Sequence, residues 1–139
     1  MKKSNFQCRV YYEDTDLAGI VYYANYLKFI ERARSEWVRS IGLDQNVLRK
    51  DHGIVFAVRK VEADYLKSAK FDDLLLITTE LKNKTRVRLK FYQHIYRGNE
   101  LIFKAILEIV PLAVSGHLMK LPKIICLLYT SPSPRDETK

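Results

Sequence analysis

Tyr11 to Arg34 reads YYEDTDLAGIVYYANYLKFIERAR. An acidic cluster (Glu13, Asp14, Asp16) meets a small Ala18-Gly19 pair, and an amphipathic run begins at once. Tyr22, Tyr26, Ile30, Ala33, Trp37 and Ile41 recur at steps of three and four, with Phe29 widening the stripe. Lys28, Glu31, Arg32, Ser35, Glu36 and Arg39 fall largely off it, and Gly42 is placed to end it. The spacing predicts a helix of about twenty residues, roughly 30 Å long. A stripe that wide and aromatic needs a broad apolar surface, and a curved sheet supplies one.

The rest of the chain reads as that sheet. Gln7 to Tyr12 is a short strand ahead of the acidic loop. Val55 to Tyr65 is β-like, Leu66 to Asp72 (LKSAKFD) reads as a loop, and Leu74 to Leu81 is a strand with Leu75, Ile77, Thr79 and Leu81 on one face. Lys82-Asn83-Lys84 reads as a turn. Arg86 to Tyr96 then alternates, with Val87, Leu89, Phe91 and Ile95 facing one way and Arg86, Arg88, Lys90, Tyr92, His94 and Tyr96 the other; Gln93 is the one exception. Arg97-Gly98-Asn99-Glu100 is a hairpin signal, and Leu101 to Val110 is a last strand stopped by Pro111. Strand, helix and then four strands with short turns predict an α+β domain, a mostly antiparallel five-stranded sheet against one long helix.

The 139 residues fit one domain, assigned to residues 1–125. Hydrophobic residues at 47% and charged residues at 29% fit a globular chain, and no apolar run approaches a membrane span. Met1-Lys2-Lys3 opens like a signal peptide, but no apolar region follows, so export is not expected. Two distant cysteines, Cys8 and Cys126, suggest neither a disulfide framework nor a metal site, and a cytoplasmic location is expected. Residues 126–139 change character. Cys126 to Asp136 (CLLYTSPSPRD) resembles the translation of a sequencing-library adapter, so this stretch is expected to be a non-native or disordered tail. The net charge of +8 fits a solvated basic surface, a phosphorylated small molecule, a nucleic acid or an anionic membrane face.

A carboxylate just ahead of a helix start meets free backbone N–H groups and the positive end of the helix dipole. On spacing alone, Asp14 and Asp16 fit helix capping or loop solvation as well as catalysis. Gly19 allows a sharp turn and close approach of a ligand.

The same segment resembles the signature of the 4-hydroxybenzoyl-CoA thioesterase family of hotdog-fold enzymes. In its YEDTD, GIVY, NYL and ERAR it is most similar to the tol-pal system-associated acyl-CoA thioesterases. The resemblance implies a hotdog fold, one long helix wrapped by the curved sheet, and a homodimer or homotetramer with active sites between subunits. It implies hydrolysis of acyl-CoA to free acid and coenzyme A, with Asp16 as nucleophile or general base and the Tyr23 backbone N–H polarising the thioester carbonyl. Many relatives of the tol-pal type carry histidine where this chain has Tyr23, which leaves a backbone role intact. Glu31 and Asn25 are candidate supporting residues; Arg86, Arg88 and Lys90, read as one strand face, are candidates for the coenzyme A phosphates, and Gly19 for substrate contact. No metal and no bound cofactor are expected, and His52, His94 and His117 receive no catalytic role.

Besides a hotdog dehydratase, which would use a paired histidine and acidic residue where Tyr11 to Arg34 holds no histidine, two other readings compete. Arg86, Arg88 and Lys90 beside Tyr92 and Tyr96 would suit a single-stranded nucleic-acid binder, but that leaves the acidic loop without a task, and no nucleic acid is expected as a partner. A non-catalytic scaffold at the cell envelope is the other, and the tol-pal resemblance with the basic charge allows peripheral association with the inner membrane.

Overall fold

A computed structural model of the chain describes residues 3–129. Five strands form one sheet: β1 (Lys3–Arg9), β2 (Ile54–Tyr65), β3 (Leu74–Lys84), β4 (Leu89–Arg97) and β5 (Glu100–Ala113). Their order is β1-β3-β4-β5-β2, and every pair is antiparallel. The long helix α1 (Asn25–Ser40) packs on one face, against β1 and β3 among others. This is the α+β arrangement expected from the helical stripe and the alternating strands.

The elements differ from the expected boundaries in ways that have local causes. β1 runs earlier than Gln7 to Tyr12, because Val10 leaves the ladder to exchange hydrogen bonds with Asp73 and Asp72, and a 3-10 turn follows at Tyr12–Asp14. α1 starts at Asn25 rather than Tyr22. Val21 N–H donates to Ala69 O at 2.8 Å and Tyr22 N–H to Asp14 O at 3.0 Å, so residues 21 and 22 are tied to neighbouring chain before the helix can form. Lys82-Asn83-Lys84 belongs to β3, and the turn comes later, at 85–88; Arg86 and Arg88 therefore lie off the strand they were assigned to. β5 continues through Pro111, which pairs with Phe56 of β2. The Pro111 carbonyl accepts from Met119 N–H, so the missing proline N–H faces the side where β4 has already ended.

Two helices were not expected. In α2 (Gln45–His52), Asp44 Oδ1 caps the N–H groups of Asn46 and Val47 at 2.8 and 3.4 Å, and Gly53 closes the helix at φ 65°. α3 (Lys123–Tyr129) follows Pro122 and crosses the 125/126 boundary; Tyr129 is buried, 5.7 Å from Trp37 and 6.2 Å from Phe56 between ring centres. The rest of the tail, 130–139, lies outside the described residues.

Two apolar clusters fill the space between α1 and the sheet. One gathers Tyr26, Phe29, Ile30, Ile77, Ile95 and Phe103; the other gathers Trp37, Leu81, Leu89, Phe91, Ile109 and Leu121. Thr79 and Gln93 lie between them, paired across β3 and β4 and both 0% exposed. Gln93 occupies an inward position in the series Leu89, Phe91, Gln93, Ile95, which explains the one break in the alternation of β4. Its Nε2 donates to Ile30 O and Thr79 Oγ1, both at 2.8 Å, and its Oε1 accepts from Arg34 Nη1 at 3.0 Å. Helix and sheet are thus joined by a satisfied polar belt across the middle of the core.

Candidate active site

The acidic loop is a tight hairpin. Tyr22 N–H donates to Asp14 O, Thr15 and Val21 form a bridge, and Asp16 N–H donates to Ile20 O at 2.9 Å. Gly19, at φ 79°, closes the tip by donating to Asp16 O at 3.0 Å. The second arm is stitched to the β2–β3 loop, where Ile20 bridges Lys70 and Val21 N–H donates to Ala69 O. That loop is fixed in turn by Ala69 N–H on the Tyr26 hydroxyl, 2.9 Å, at the start of α1.

Within the hairpin the carboxylates divide their roles. Asp14 Oδ2 accepts from Tyr11 N–H at 2.8 Å, and its carbonyl receives both Tyr22 N–H and Asn25 Nδ2, the latter at 2.9 Å. Asp14 is a structural knot, and Asn25 ties it to α1. Asp16 is exposed; Oδ1 accepts from Ala18 N–H at 2.8 Å, and the rest of the carboxylate is open. It lines an open depression of about 650 Å³ with Tyr12, Thr15, Leu17, Gly19 and Phe71. Tyr12 and Phe71 face each other across it, ring centres 6.0 Å apart.

Tyr23 stands where the hairpin gives way to α1. Its backbone N–H has no acceptor among the described residues, as expected for a donor ahead of the first helical turn. Its carbonyl accepts from the Tyr65 hydroxyl at 3.2 Å, and its ring is 62% exposed, 4.9 Å from that of Tyr22. The Tyr22 phenol is held above its ordinary pKa by Tyr23 first, then by slight desolvation and the Asp16 charge. Burial, with smaller contributions from Tyr23 and Tyr26, raises Tyr65. The Tyr22 and Tyr65 phenols therefore stay neutral donors at neutral pH.

Asp16, Gly19, Tyr23 and Asn25 come together in this one corner. The other expected residues do not. Glu31 lies two turns along α1, exposed, and accepts from Ser35 Oγ at 3.5 Å. Arg86, Arg88 and Lys90 sit at the opposite end of the sheet, separated from the Asp16 end by the length of β3, ten steps of about 3.3 Å. The continuous basic and aromatic strand face is not formed: Arg86 turns back to donate its Nε to Leu121 O at 2.7 Å, and Arg88 lies 3.7 Å from Glu108. Sequence reading missed Tyr65, Phe71 and Arg34. Only Arg34 had a signal, its place in ERAR. Cys8 and Cys126 are unbridged, and among the described residues no group of three metal-binding side chains converges. No described helix is long and apolar enough to cross a membrane.

The family model of the thioesterase superfamily matches residues 18–103. An acyl-CoA thioesterase YbgC from Haemophilus influenzae is 39% identical over 105 residues, covering 76% of this chain and 77% of that protein. An acyl-CoA thioester hydrolase YbgC from Escherichia coli is 40% identical over 121 residues, covering 84% and 88%. The crystal structure of 4-hydroxybenzoyl-CoA thioesterase from Pseudomonas sp. strain CBS-3 superposes with a TM-score of 0.84 at 24% identity, covering 92% of this chain and 99% of that one, a likeness of fold. The arrangement of one long helix on a five-stranded antiparallel sheet is the hotdog fold.

Proposed function

This chain belongs to the thioesterase superfamily and hydrolyses acyl-CoA thioesters, and from that premise we propose that Asp16 and the Tyr23 backbone N–H carry the reaction. What supports this reading is the hairpin, which leaves the Asp16 carboxylate open and leads into the start of α1, where the Tyr23 N–H has no acceptor among the described residues. The thioester carbonyl oxygen accepts from the Tyr23 N–H, helped by the dipole of α1 as negative charge develops. Asp16 then acts in one of two ways. It attacks the carbonyl carbon, giving an acyl anhydride and releasing the coenzyme A thiolate, and water cleaves the anhydride. Alternatively, it takes the proton of a water that attacks directly. A thiolate is a stable leaving group, so neither route demands a strong general acid, and neither draws on a resident metal or cofactor.

The substrate is acyl-CoA, and the assembly is read as a homodimer. β2 is a twelve-residue edge strand with Val58 and Val61 partly exposed, a poor edge to leave open in water. Antiparallel pairing of two β2 edges inverts the second copy. Its Asp16 end then lies level with the Arg88 and Lys90 end of the first, which gives those cations a route to the coenzyme A phosphates; Arg86 is already engaged with Leu121. Two such dimers would make a homotetramer. A cytoplasmic enzyme with peripheral attachment to the inner membrane fits the net charge of +8.

The test is free-thiol release from short-chain, aromatic and long-chain acyl-CoAs by the wild type and Asp16→Asn. Asparagine keeps the Oδ1 that accepts from Ala18, so the fold should persist while the rate falls by about a hundredfold or more. An unchanged rate in a folded Asp16→Asn protein would move the active site elsewhere.

A further inference from the structure

At the other end of α1 from Asp16, a cavity of about 210 Å³ opens between the helix, the start of β2 and the start of β4. Val38, Phe56, Leu89, Phe91, Ile109 and Tyr129 form an apolar wall, and Glu31, Ser35 and Gln45 also line it. One wall residue is a cation. Arg34 is largely buried, and its Nη1 donates to the neutral Oε1 of Gln93. Among the described residues no carboxylate comes within ion-pair distance of it. Glu31, one turn earlier and also at the cavity, attracts it electrostatically but bonds to Ser35 instead. Burial depresses the Arg34 pKa, the cost of a guanidinium removed from water without a partner anion.

We propose that this cavity binds a monocarboxylic acid, its carboxylate on Arg34 and its hydrocarbon body between Phe56 and Phe91. Arginine pairs with a carboxylate through two parallel N–H donors, and one Nη already spent on Gln93 leaves enough for that fork. Phe56, Leu89, Phe91 and Ile109 surround the ligand's body, with Ser35 and Gln45 as the neutral polar residues of the lining, which favours an alkyl or aryl chain over a sugar or nucleotide. A free acid of this kind is what acyl-CoA hydrolysis releases, so the cavity is suited to sense or retain product. Pairing of two β2 edges uses backbone groups, so Phe56, on the inner face, keeps its place.

The chain's single tryptophan gives the readout. Trp37 lies 5.1 Å from the Phe91 ring and 5.7 Å from that of Tyr129, both at the cavity wall. Titration of the full chain with octanoate should change Trp37 emission saturably, with octan-1-ol binding at least about tenfold more weakly because it lacks the charge. Arg34→Gln should remove that preference. Should Arg34→Gln not fold, Ala57→Leu narrows the same cavity from β2 and should weaken octanoate without touching the cation. Equal affinity for acid and alcohol in the wild type would overturn the proposal, as would no saturable response to octanoate, or octanoate binding unchanged in either folded variant.

Discussion

Gln93 donates its Nε2 to the Ile30 carbonyl oxygen across 2.8 Å, so a strand side chain grips the middle of α1 from beneath. The same amide group reaches Thr79, and its oxygen takes Arg34, which makes Gln93 the hub of the polar belt between the two apolar clusters. Gln93→Leu leaves the buried Thr79 and the part-buried Arg34 with unmet groups. It should cost about 3 kcal/mol, from a penalty of roughly 1–3 kcal/mol per orphaned group. For a chain of this size that lowers Tm by roughly 10 °C. Adding Thr79→Val removes one orphan, so the double variant should cost less than the sum of the singles by about 1 kcal/mol in urea denaturation. Strict additivity would mean that the belt is not a unit.

Much of this fold was legible because α1 and the strands obey their periods. The stripe through Tyr26, Ile30, Ala33 and Trp37 is the buried face of α1, and inward and outward residues of β4 alternate as read. What escaped was decided by contacts from outside the local stretch. Tyr22 continues the helical spacing, yet its N–H is claimed by Asp14 eight residues back, and the helix waits until Asn25. α2 is short, and its signals are only its ends, Asp44 and Gly53. Arg86 looked like a strand residue because it alternates with Val87, but Leu121, thirty-five residues on, holds it in the turn. The residues of the corner around Asp16 were legible through family resemblance; spacing alone could not separate Asp14, a knot, from Asp16, an open carboxylate.

Asn25 is the tie between that knot and the helix. Asn25→Ala removes one hydrogen bond, to Asp14 O, and should cost only about 1 kcal/mol of stability. The hairpin would then drift relative to the Tyr23 N–H. Catalysis is steeply sensitive to such displacement, so kcat should fall by about tenfold with Tm little changed. Asn25→Asp, which sets a carboxylate against the Asp14 carbonyl, should be worse than alanine. The two variants reversed in order of kcat would show that the bond to Asp14 is not what matters.

If the Tyr23 contribution is made by its backbone, Tyr23→Phe is nearly silent. The phenyl ring keeps the tilted contact to Tyr22 and the edge contact to Tyr65, and the carbonyl still receives the Tyr65 hydroxyl. Thiol release should stay within about threefold of wild type, well short of the hundredfold that a lost oxyanion donor costs. A loss near a hundredfold would assign the work to the phenol.

Gly19 separates backbone strain from ligand approach. A Cβ there meets nothing within 4 Å, so Gly19→Ala suffers only from φ 79°, about 1–2 kcal/mol. Asparagine tolerates that region better, and valine far worse. Stability should therefore rank Gly, Asn, Ala, Val. KM for acyl-CoA is the second measurement: if substrate passes over Gly19, alanine should raise KM by about tenfold even where its stability is nearly kept. A KM that merely follows stability across the series would leave Gly19 a turn residue.

Cys8 tests the packing of the sheet edge. It lies on β1 paired with Leu75, and burial pushes its thiol up to about 11 from an ordinary 9.0, opposed in part by the Arg32 charge and aided by Asp14. A shift of that size leaves about one hundredth of the thiolate that an ordinary thiol carries at pH 8, and the thiolate is the reactive form. Iodoacetamide should accordingly modify Cys8 about a hundredfold more slowly than free glutathione, read by peptide mass spectrometry. The sign of the linked stability follows. The unfolded thiol ionises first, so as pH rises past about 9 the unfolded state sheds protons that the folded state still holds. Stability then declines until the folded thiol ionises near 11, and Cys8→Ala should flatten that alkaline slope. Rapid alkylation at pH 8 in a protein that remains folded would mean that β1 opens from β3 in solution, exposing the edge on which the Asp16 hairpin is hung.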